Sequence, residues 1–133
     1  MARSASTLPT ERELDILQVL WDAGAAPLSE ISSALRDRRG VATTTVATIL
    51  KVMLDKGLVR RTRDRRWEPT VSQDDTGQGI VSQLLDRVFH GSAQRMVGHI
   101  LAAGDLSEQD VRELRQLLDD YRAKSQSQGK KKT

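Results

Sequence analysis

Four threonines and one lysine in the middle of the chain have the clearest capacity for chemistry: Thr43, Thr44, Thr45, Thr48 and Lys51. Threonine hydroxyls bond phosphate oxygens or base edges, and threonine methyls pack against the methyl group of thymine. The alternative without a ligand is that the threonine run simply caps a helix. Alone, this group is only a weak indication of a nucleic-acid contact.

An arginine cluster follows, formed by Arg60, Arg61, Arg63, Arg65 and Arg66. Five guanidinium groups in seven positions repel one another, so we expect an anion beside them. Arginine grips phosphate with paired hydrogen bonds and fits a narrow minor groove, although a solvated loop is the alternative. We therefore predict phosphate contacts from this cluster and from three neighbouring cations, Arg38, Arg39 and Lys56.

Other kinds of chemistry have little support in the sequence. His90 and His99 do not form a two-histidine metal spacing, and the chain has no cysteine. The pairs Asp74–Asp75 and Asp119–Asp120 are adjacent in sequence, so their side chains point in different directions and make poor acid–base pairs. We expect no enzyme activity, catalytic residue, metal or cofactor.

Apolar spacing predicts three helices before the arginine cluster and a hairpin around it. Between Thr43 and Lys56, apolar side chains lie at i, i+3, i+4, i+7 and i+8 counted from Val46. The predicted helix ends are a capping box of Thr10 with Glu13 for the first helix, a Ser29 cap for the second, and Gly57 after the third. Strand-like residues flank a tip at Arg63–Arg65. This is a winged-helix arrangement, whose third helix enters the major groove.

Apolar stripes continue towards the C-terminus on further helices, the last of which begins at Ser107 with Asp110. About 50 residues make a marginal core, so we expect a second copy of the chain to cover these stripes. The predicted dimer interface comprises Leu84, Leu85, Val88, Phe89, Met96, Val97, Ile100, Leu101, Leu114, Leu117, Leu118 and Tyr121.

Charge and composition divide the chain. Residues 36–66 hold ten basic and three acidic residues, a net of +7, whereas residues 71–122 hold five basic and nine acidic ones, a net of −4. We predict a flexible segment at 1–9, a winged-helix DNA-binding domain at 10–71, a helical dimerisation domain at 72–124 and a disordered basic tail at 125–133. The fold class is mainly α with a small β-hairpin. With no signal sequence or membrane-length apolar run, we expect a cytoplasmic protein without membrane insertion.

The order and spacing of these motifs resemble the penicillinase repressor family of winged-helix transcriptional repressors, similar to those that control β-lactamase and methicillin-resistance genes. The resemblance covers roughly residues 8–122. The segments that carry it are Leu8–Leu14 with Val19–Trp21, Thr45–Leu50 with Lys56–Val59, and Phe89–Ser92 with Met96–Val97 and Asp105–Ser107.

The resemblance implies a homodimer that represses transcription by binding an inverted-repeat operator rich in TACA/TGTA steps. The base-reading segment of the family falls on Thr43, Thr44, Ala47 and Thr48. Family members often have a bulky polar residue at Ala47 and a basic one at Val52. These departures from the family pattern indicate an altered operator preference, with Lys51 partly replacing the lost charge. The hairpin from Gly57 to Pro69 is a second departure, about three residues shorter than is usual in the family.

In the β-lactam branch of the family, a protease linked to a membrane sensor ends repression by cutting the dimerisation region. The usual Asn-Phe bond aligns here with His99–Ile100. A copper-responsive branch uses a C-terminal cysteine cluster, which a chain without cysteine cannot provide. Two other functions remain open: a winged-helix module that binds an acidic protein, and a repressor that senses a ligand in an apolar cavity.

Overall fold

A computed structural model describes residues 8–132 of the 133-residue chain, with side chains as far as Ser127. Its helices are α1 (Glu11–Ala23), α2 (Leu28–Arg39), α3 (Thr43–Lys56), α4 (Gln73–Arg87), α5 (Ala93–Ala103) and α6 (Glu108–Lys132). Strands β1 (Val59–Arg61) and β2 (Trp67–Pro69) form an antiparallel hairpin. Internal contacts divide the chain into two units, one ending at Leu84 and the other beginning at Leu85.

The first two helices begin with different caps. Thr10 and Glu13 form the predicted capping box, in which each side chain accepts from the backbone N–H of the other residue. The Ser29 cap was a wrong prediction, because the N-cap of α2 lies two residues earlier, at Pro27, and the helix begins at Leu28. The extended backbone of Pro27 directs its carbonyl to the N–H groups of Glu30 and Ile31, at 3.1 and 3.2 Å.

The third helix and the hairpin have the predicted positions. Gly57 ends α3 in the left-handed conformation at φ 83°, a conformation that glycine adopts without steric cost. In the hairpin, Arg61 lies opposite Trp67. Trp67 also exchanges two backbone hydrogen bonds with Ala26, at 2.8 and 2.9 Å, so the connection between α1 and α2 pairs with the free edge of β2.

The core of the first unit lies among α1, α2, α3 and the hairpin. Each helix contributes one apolar stripe, and Trp67 covers the same core from β2. The fully enclosed side chains include Ile16, Leu17, Leu20, Ile31, Leu35, Val46, Leu50 and Met53. Because these stripes face inward, the opposite face of α3 is left towards solvent.

The division after Leu84 differs from the domain boundary at residue 72 that the sequence predicts. Trp21 Nε1 donates to the Val71 carbonyl at 2.9 Å, and Thr76 is buried, so the start of α4 belongs to the first unit. Gly79 leaves room for Leu8, whose Cδ2 lies 3.1 Å from the position that a Cβ on Gly79 would take. The sequence predicts a flexible segment at 1–9, of which residues 1–7 lie outside the described residues.

The second unit contains the end of α4, α5 and α6. The helix α5 begins at a Ser92 cap, and Ser107 and Asp110 cap α6 reciprocally, as predicted for the last helix. The sequence predicts a disordered tail at 125–133, whereas in the structure α6 continues to Lys132. Residues 122–128 include the good helix formers alanine, lysine and glutamine and contain no proline or glycine, so the helix can propagate from the preceding turns.

Candidate nucleic-acid interface

The outward face of α3 carries hydroxyl, methyl and ammonium groups. Thr44, Thr45, Thr48 and Lys51 are exposed, as is Val52, which is 44% exposed. Steps of 100° per residue place Thr44, Thr48 and Lys51 on the face opposite buried Val46 and Leu50. Ala47 and Thr43 are partly buried at the margin of that face.

The threonine hydroxyls on α3 have different partners. The Thr48 hydroxyl donates to the Thr44 carbonyl at 3.0 Å, a common helix back-bond that leaves the hydroxyl less available for DNA. Thr43 Oγ1 lies 2.6 Å from Ser32 Oγ and accepts from Arg36 at 2.9 Å. Thr44 therefore offers the more available hydroxyl, and Thr48 is better suited to a contact through its methyl group.

The cations predicted outside the hairpin occupy three different settings. Lys51 projects from the outward face of α3. Arg38 and Arg39 line a groove of about 240 Å³ with α1 residues, and Arg39 lies 3.5 Å from Asp15. The sequence predicts a phosphate contact for Lys56, but its ammonium binds both carboxylate oxygens of buried Glu13. This ion pair leaves Lys56 poorly placed to contact phosphate.

The hairpin, here called the wing (Val59–Pro69), is ordered by contacts among its own charged groups. Arg60 forms an ion pair with Glu68, and Arg66 pairs with Asp64 at 3.0 Å. The Arg61 guanidinium stacks 4.7 Å from the Trp67 ring centroid. The expected repulsion is therefore partly relieved within the protein, before any anion binds. Because exposed ion pairs are weak, phosphate can still compete for Arg60 and Arg66.

The tip of the wing holds Arg63 and Arg65, both exposed and, within the described residues, without an acidic partner. Thr62 closes the turn by accepting from the Arg65 N–H and donating to the Arg66 carbonyl, at 3.2 and 2.8 Å. Arg65 takes the left-handed position at φ 63°, which is unusual for a residue with a Cβ. A hydrogen bond from the Thr62 hydroxyl, with help from the Arg66 guanidinium, holds the pKa of Asp64 below its ordinary value of 3.8.

The second unit displays the predicted apolar stripes on its surface. Leu117, Leu118 and Tyr121 on α6 are 64, 67 and 72% exposed. The other exposed predicted interface residues of this unit are Val88, Val97, Ile100, Leu101 and Leu114, whereas Leu85, Phe89 and Met96 are partly buried. Leu84, at the end of the first unit, is also exposed. His99 and Ile100, the predicted cleavage pair, are exposed within α5, and the His99 ring lies 5.3 Å from that of Phe89.

Two features of the first unit escaped the sequence analysis. Arg36 was not singled out, although Ser32 and Arg36 lie four residues apart and therefore share one face of α2. That spacing and the polar residue at the start of α3 were the available signal. The pairing of Ala26 with Trp67 had no signal, because a single bridging residue produces no alternating pattern.

Comparison with known proteins gives the family of this chain. The sequence profile described as penicillinase repressor matches residues 9–120. The chain belongs to the penicillinase repressor family. This is a family of transcriptional repressors, and the combination of a winged-helix unit with C-terminal helices fits it.

Individual relatives of this repressor are distant in sequence but matched over most of their length. The penicillinase repressor of Bacillus licheniformis is 22% identical over 116 residues, which are 85% of this chain and 91% of the relative. The penicillinase repressor of Staphylococcus aureus is 19% identical over 84% of this chain and 91% of its own. The methicillin resistance regulatory protein MecI of Mammaliicoccus sciuri is 21% identical over 80% and 89%.

The described part of the repressor also bears on membranes and metals. Its helices include none with the length and apolar character that crossing a membrane requires. Histidine and carboxylate side chains form no cluster of three or more suited to a metal ion within residues 8–127.

Proposed function

We propose that this repressor binds, as a homodimer, an inverted-repeat operator of the TACA/TGTA type and blocks transcription of β-lactam-response or related genes. The support for DNA binding is the outward face of α3 beside a basic, ordered wing. The support for the regulated genes is the names of the relatives, which are penicillinase and methicillin-resistance repressors.

In the proposed complex, α3 reads bases from the major groove and the wing follows the DNA backbone. Thr44 and Lys51 reach donor or acceptor groups, while Ala47 and Thr48 present methyl groups to thymine. Thr43 lies at the margin of the same contact. The proposed phosphate contacts are Arg38, Arg39, Arg60, Arg61, Arg63, Arg65 and Arg66.

The proposed dimer joins the exposed apolar residues of α4, α5 and α6. Leu117, Leu118 and Tyr121 would be costly to leave in water, at roughly 25 cal/mol per Å² of apolar surface. A second copy provides the same stripe by two-fold symmetry. Two linked winged helices then bind the two half-sites together, so the affinity of the dimer exceeds that of one subunit.

Loss of the dimer would remove this advantage and release the operator. We propose that a protease linked to a membrane sensor cuts the dimerisation region near His99–Ile100, within the cytoplasm. Both residues are exposed, but they lie within helix α5, so cleavage requires local opening of that helix.

The observation that carries the proposal is the exposed Thr44–Thr48–Lys51 surface together with the exposed wing-tip arginines. Fluorescence anisotropy tests it with a duplex that carries a TACA/TGTA inverted repeat and a scrambled duplex, at several salt concentrations. We expect at least tenfold preference for the repeat, by the usual specificity of DNA readers. If four of the seven arginines proposed as phosphate contacts meet phosphate in each subunit, the log–log salt slope is about −7, at about −0.9 per contact.

The other outcomes distinguish the remaining functions. Equal binding of the two duplexes would reduce the function to a basic surface without sequence preference. No binding near physiological salt would favour the protein-interaction module, whose acidic partner duplex DNA would not displace.

A further inference from the structure

The start of α3 is held by a three-residue contact with α2. Thr43 is the first residue of α3, and its Oγ1 lies 2.6 Å from the hydroxyl of Ser32, a residue only 1% exposed. Arg36, one turn after Ser32 on α2, donates to the same oxygen at 2.9 Å. The two α2 residues therefore hold a single atom on α3 from neighbouring positions on one face.

Burial of Val41 and Val46 also restrains the start of α3, but few other hydrogen bonds set its direction. Ala42 is the N-cap of α3 and makes no side-chain cap hydrogen bond. The short connection between the helices contains Gly40 in the left-handed conformation and buried Val41, whose N–H lies at the long distance of 3.5 Å from the Leu35 carbonyl. The side chain of Thr43 therefore supplies a directional link that the backbone connection lacks.

We propose that Arg36 is a positioning residue of the DNA interface, which acts through Thr43 to set how the start of α3 enters the major groove. This rests on the proposed function. A hydroxyl has one donor and two acceptor positions, and the two α2 partners occupy two of them. Thr43 is thus mainly a link between the helices, and base reading falls to the residues that follow it on α3.

The competing role for Arg36 is a direct phosphate contact, because its side chain is exposed and has further donors. The two roles differ in what they change. A misplaced α3 loses discrimination between sequences, because readout depends on the alignment of groups with base edges. A lost phosphate contact weakens binding to all duplexes alike and reduces the salt slope, by about 2 for two subunits.

A double-mutant cycle of Arg36→Met and Thr43→Val tests the positioning role in the full-length protein. The measured quantity is the ratio of affinities for the inverted-repeat and scrambled duplexes. We expect each single variant to lower this ratio about threefold, and the double variant to lower it no further, because both remove one link; independent effects would multiply to about ninefold. The salt slope on the scrambled duplex should stay unchanged in Arg36→Met.

Two control variants separate loss of the Arg36–Thr43 link from loss of side-chain volume or of charge, and an unfolding measurement checks that each variant folds. Thr43→Ser retains the oxygen and should keep the wild-type ratio within about twofold. Arg38→Met removes the same charge from α2 without a contact to Thr43 and should leave the ratio unchanged, whatever it does to overall affinity. Thermal unfolding by circular dichroism checks that each variant is folded at the assay temperature.

Several outcomes would overturn the inference. Additive effects of Arg36→Met and Thr43→Val would mean that the two residues act independently. An unchanged ratio with a salt slope reduced by about 2 would assign Arg36 to a phosphate. If the wild-type protein itself does not distinguish the duplexes, the proposed function fails, and the inference with it, before any variant is measured.

Discussion

Lys56 Nζ donates to both carboxylate oxygens of Glu13, at 3.0 and 2.9 Å, and so joins the end of α3 to the start of α1. Glu13 is 3% exposed and also accepts the N–H of Thr10. One carboxylate thus caps α1 and anchors α3. The position of α3 therefore depends on a charge pair at the end opposite its exposed threonines.

Lys56→Met should lower the free energy of unfolding by about 2 kcal/mol, because it leaves a buried carboxylate without its cation. The loss should fall below the value for a fully buried pair, since the Lys56 side chain is 30% exposed. Urea unfolding measures the change, and Glu13→Gln combined with Lys56→Met should recover part of it. A loss under about 0.5 kcal/mol would be typical of an ordinary surface position and would contradict this account.

The same Lys56→Met variant also tests the exclusion of Lys56 from the interface. Its salt slope for DNA binding should equal that of the wild-type protein under conditions where both are folded. A slope reduced by about 2 would instead make Lys56 a phosphate contact in both subunits, as its residue type alone suggests.

Arg65→Gly should stabilise the wing while weakening its contact with DNA. Arg65 has φ 63°, where a Cβ costs about 1 kcal/mol and glycine avoids that cost. Thermal unfolding should therefore occur at a higher temperature, whereas the salt slope should fall by about 2 for the dimer. The matched change Arg63→Gly removes the same charge at a position without positive φ, so a similar rise in its unfolding temperature would contradict the explanation.

Thr44→Val and Thr48→Val should have unequal effects on operator binding. The Thr48 hydroxyl is occupied by the Thr44 carbonyl, so valine, which keeps both branches of the side chain, should change affinity less than twofold. Thr44→Val removes the more available hydroxyl and should reduce the preference for the inverted repeat about tenfold. Anisotropy measures both, and a larger loss for Thr48→Val than for Thr44→Val would reverse the assigned roles.

Much of the fold was predictable because its signals are local. The capping box at Thr10, the apolar period of α3 and the stop at Gly57 each involve residues only a few positions apart. The partners of Lys56 and Thr43 were not predictable in the same way. Lys56 and Glu13 lie 43 positions apart, and no local periodicity distinguishes a cation that meets a buried carboxylate from one that meets phosphate.

In the wing, too, the sequence predicted the position of the element but not the contacts of its side chains. Its position and tip followed from composition, but its order depends on pairings across the hairpin, such as Arg60 with Glu68 and Arg61 with Trp67. These depend on register, which the sequence of so short a hairpin specifies weakly. Counting arginines therefore overestimated their mutual repulsion.

Asp64 should titrate with a midpoint below 3.8, because the Thr62 hydroxyl and Arg66 favour its charged form. Since its pKa is lowered by folding, its contribution to wing order is present above the unfolded pKa and is lost as pH falls through the lower folded value. NMR titration of the Asp64 carboxyl carbon measures the midpoint. Thr62→Val should raise it, and an unchanged midpoint in that variant would exclude the hydrogen bond as the main cause.

Leu118→Lys should convert the proposed dimer to monomers and lower operator affinity by at least tenfold, because the half-sites would then bind separately. Sedimentation velocity measures the mass, and anisotropy the affinity. Asp119→Lys introduces the same side chain on the opposite face of α6 and should leave the dimer intact. A dimer that persists in Leu118→Lys, or dissociates equally in Asp119→Lys, would contradict this assignment of the interface.

The central claim is that the outward face of α3 and the wing form the surface that binds DNA. An amide-detected NMR titration of the full-length protein with the inverted-repeat duplex tests it most directly. The account predicts that the largest shifts occur in the first two turns of α3 and in Thr62–Arg66. Unchanged signals in both segments, with large shifts confined to α5 and α6, would contradict it.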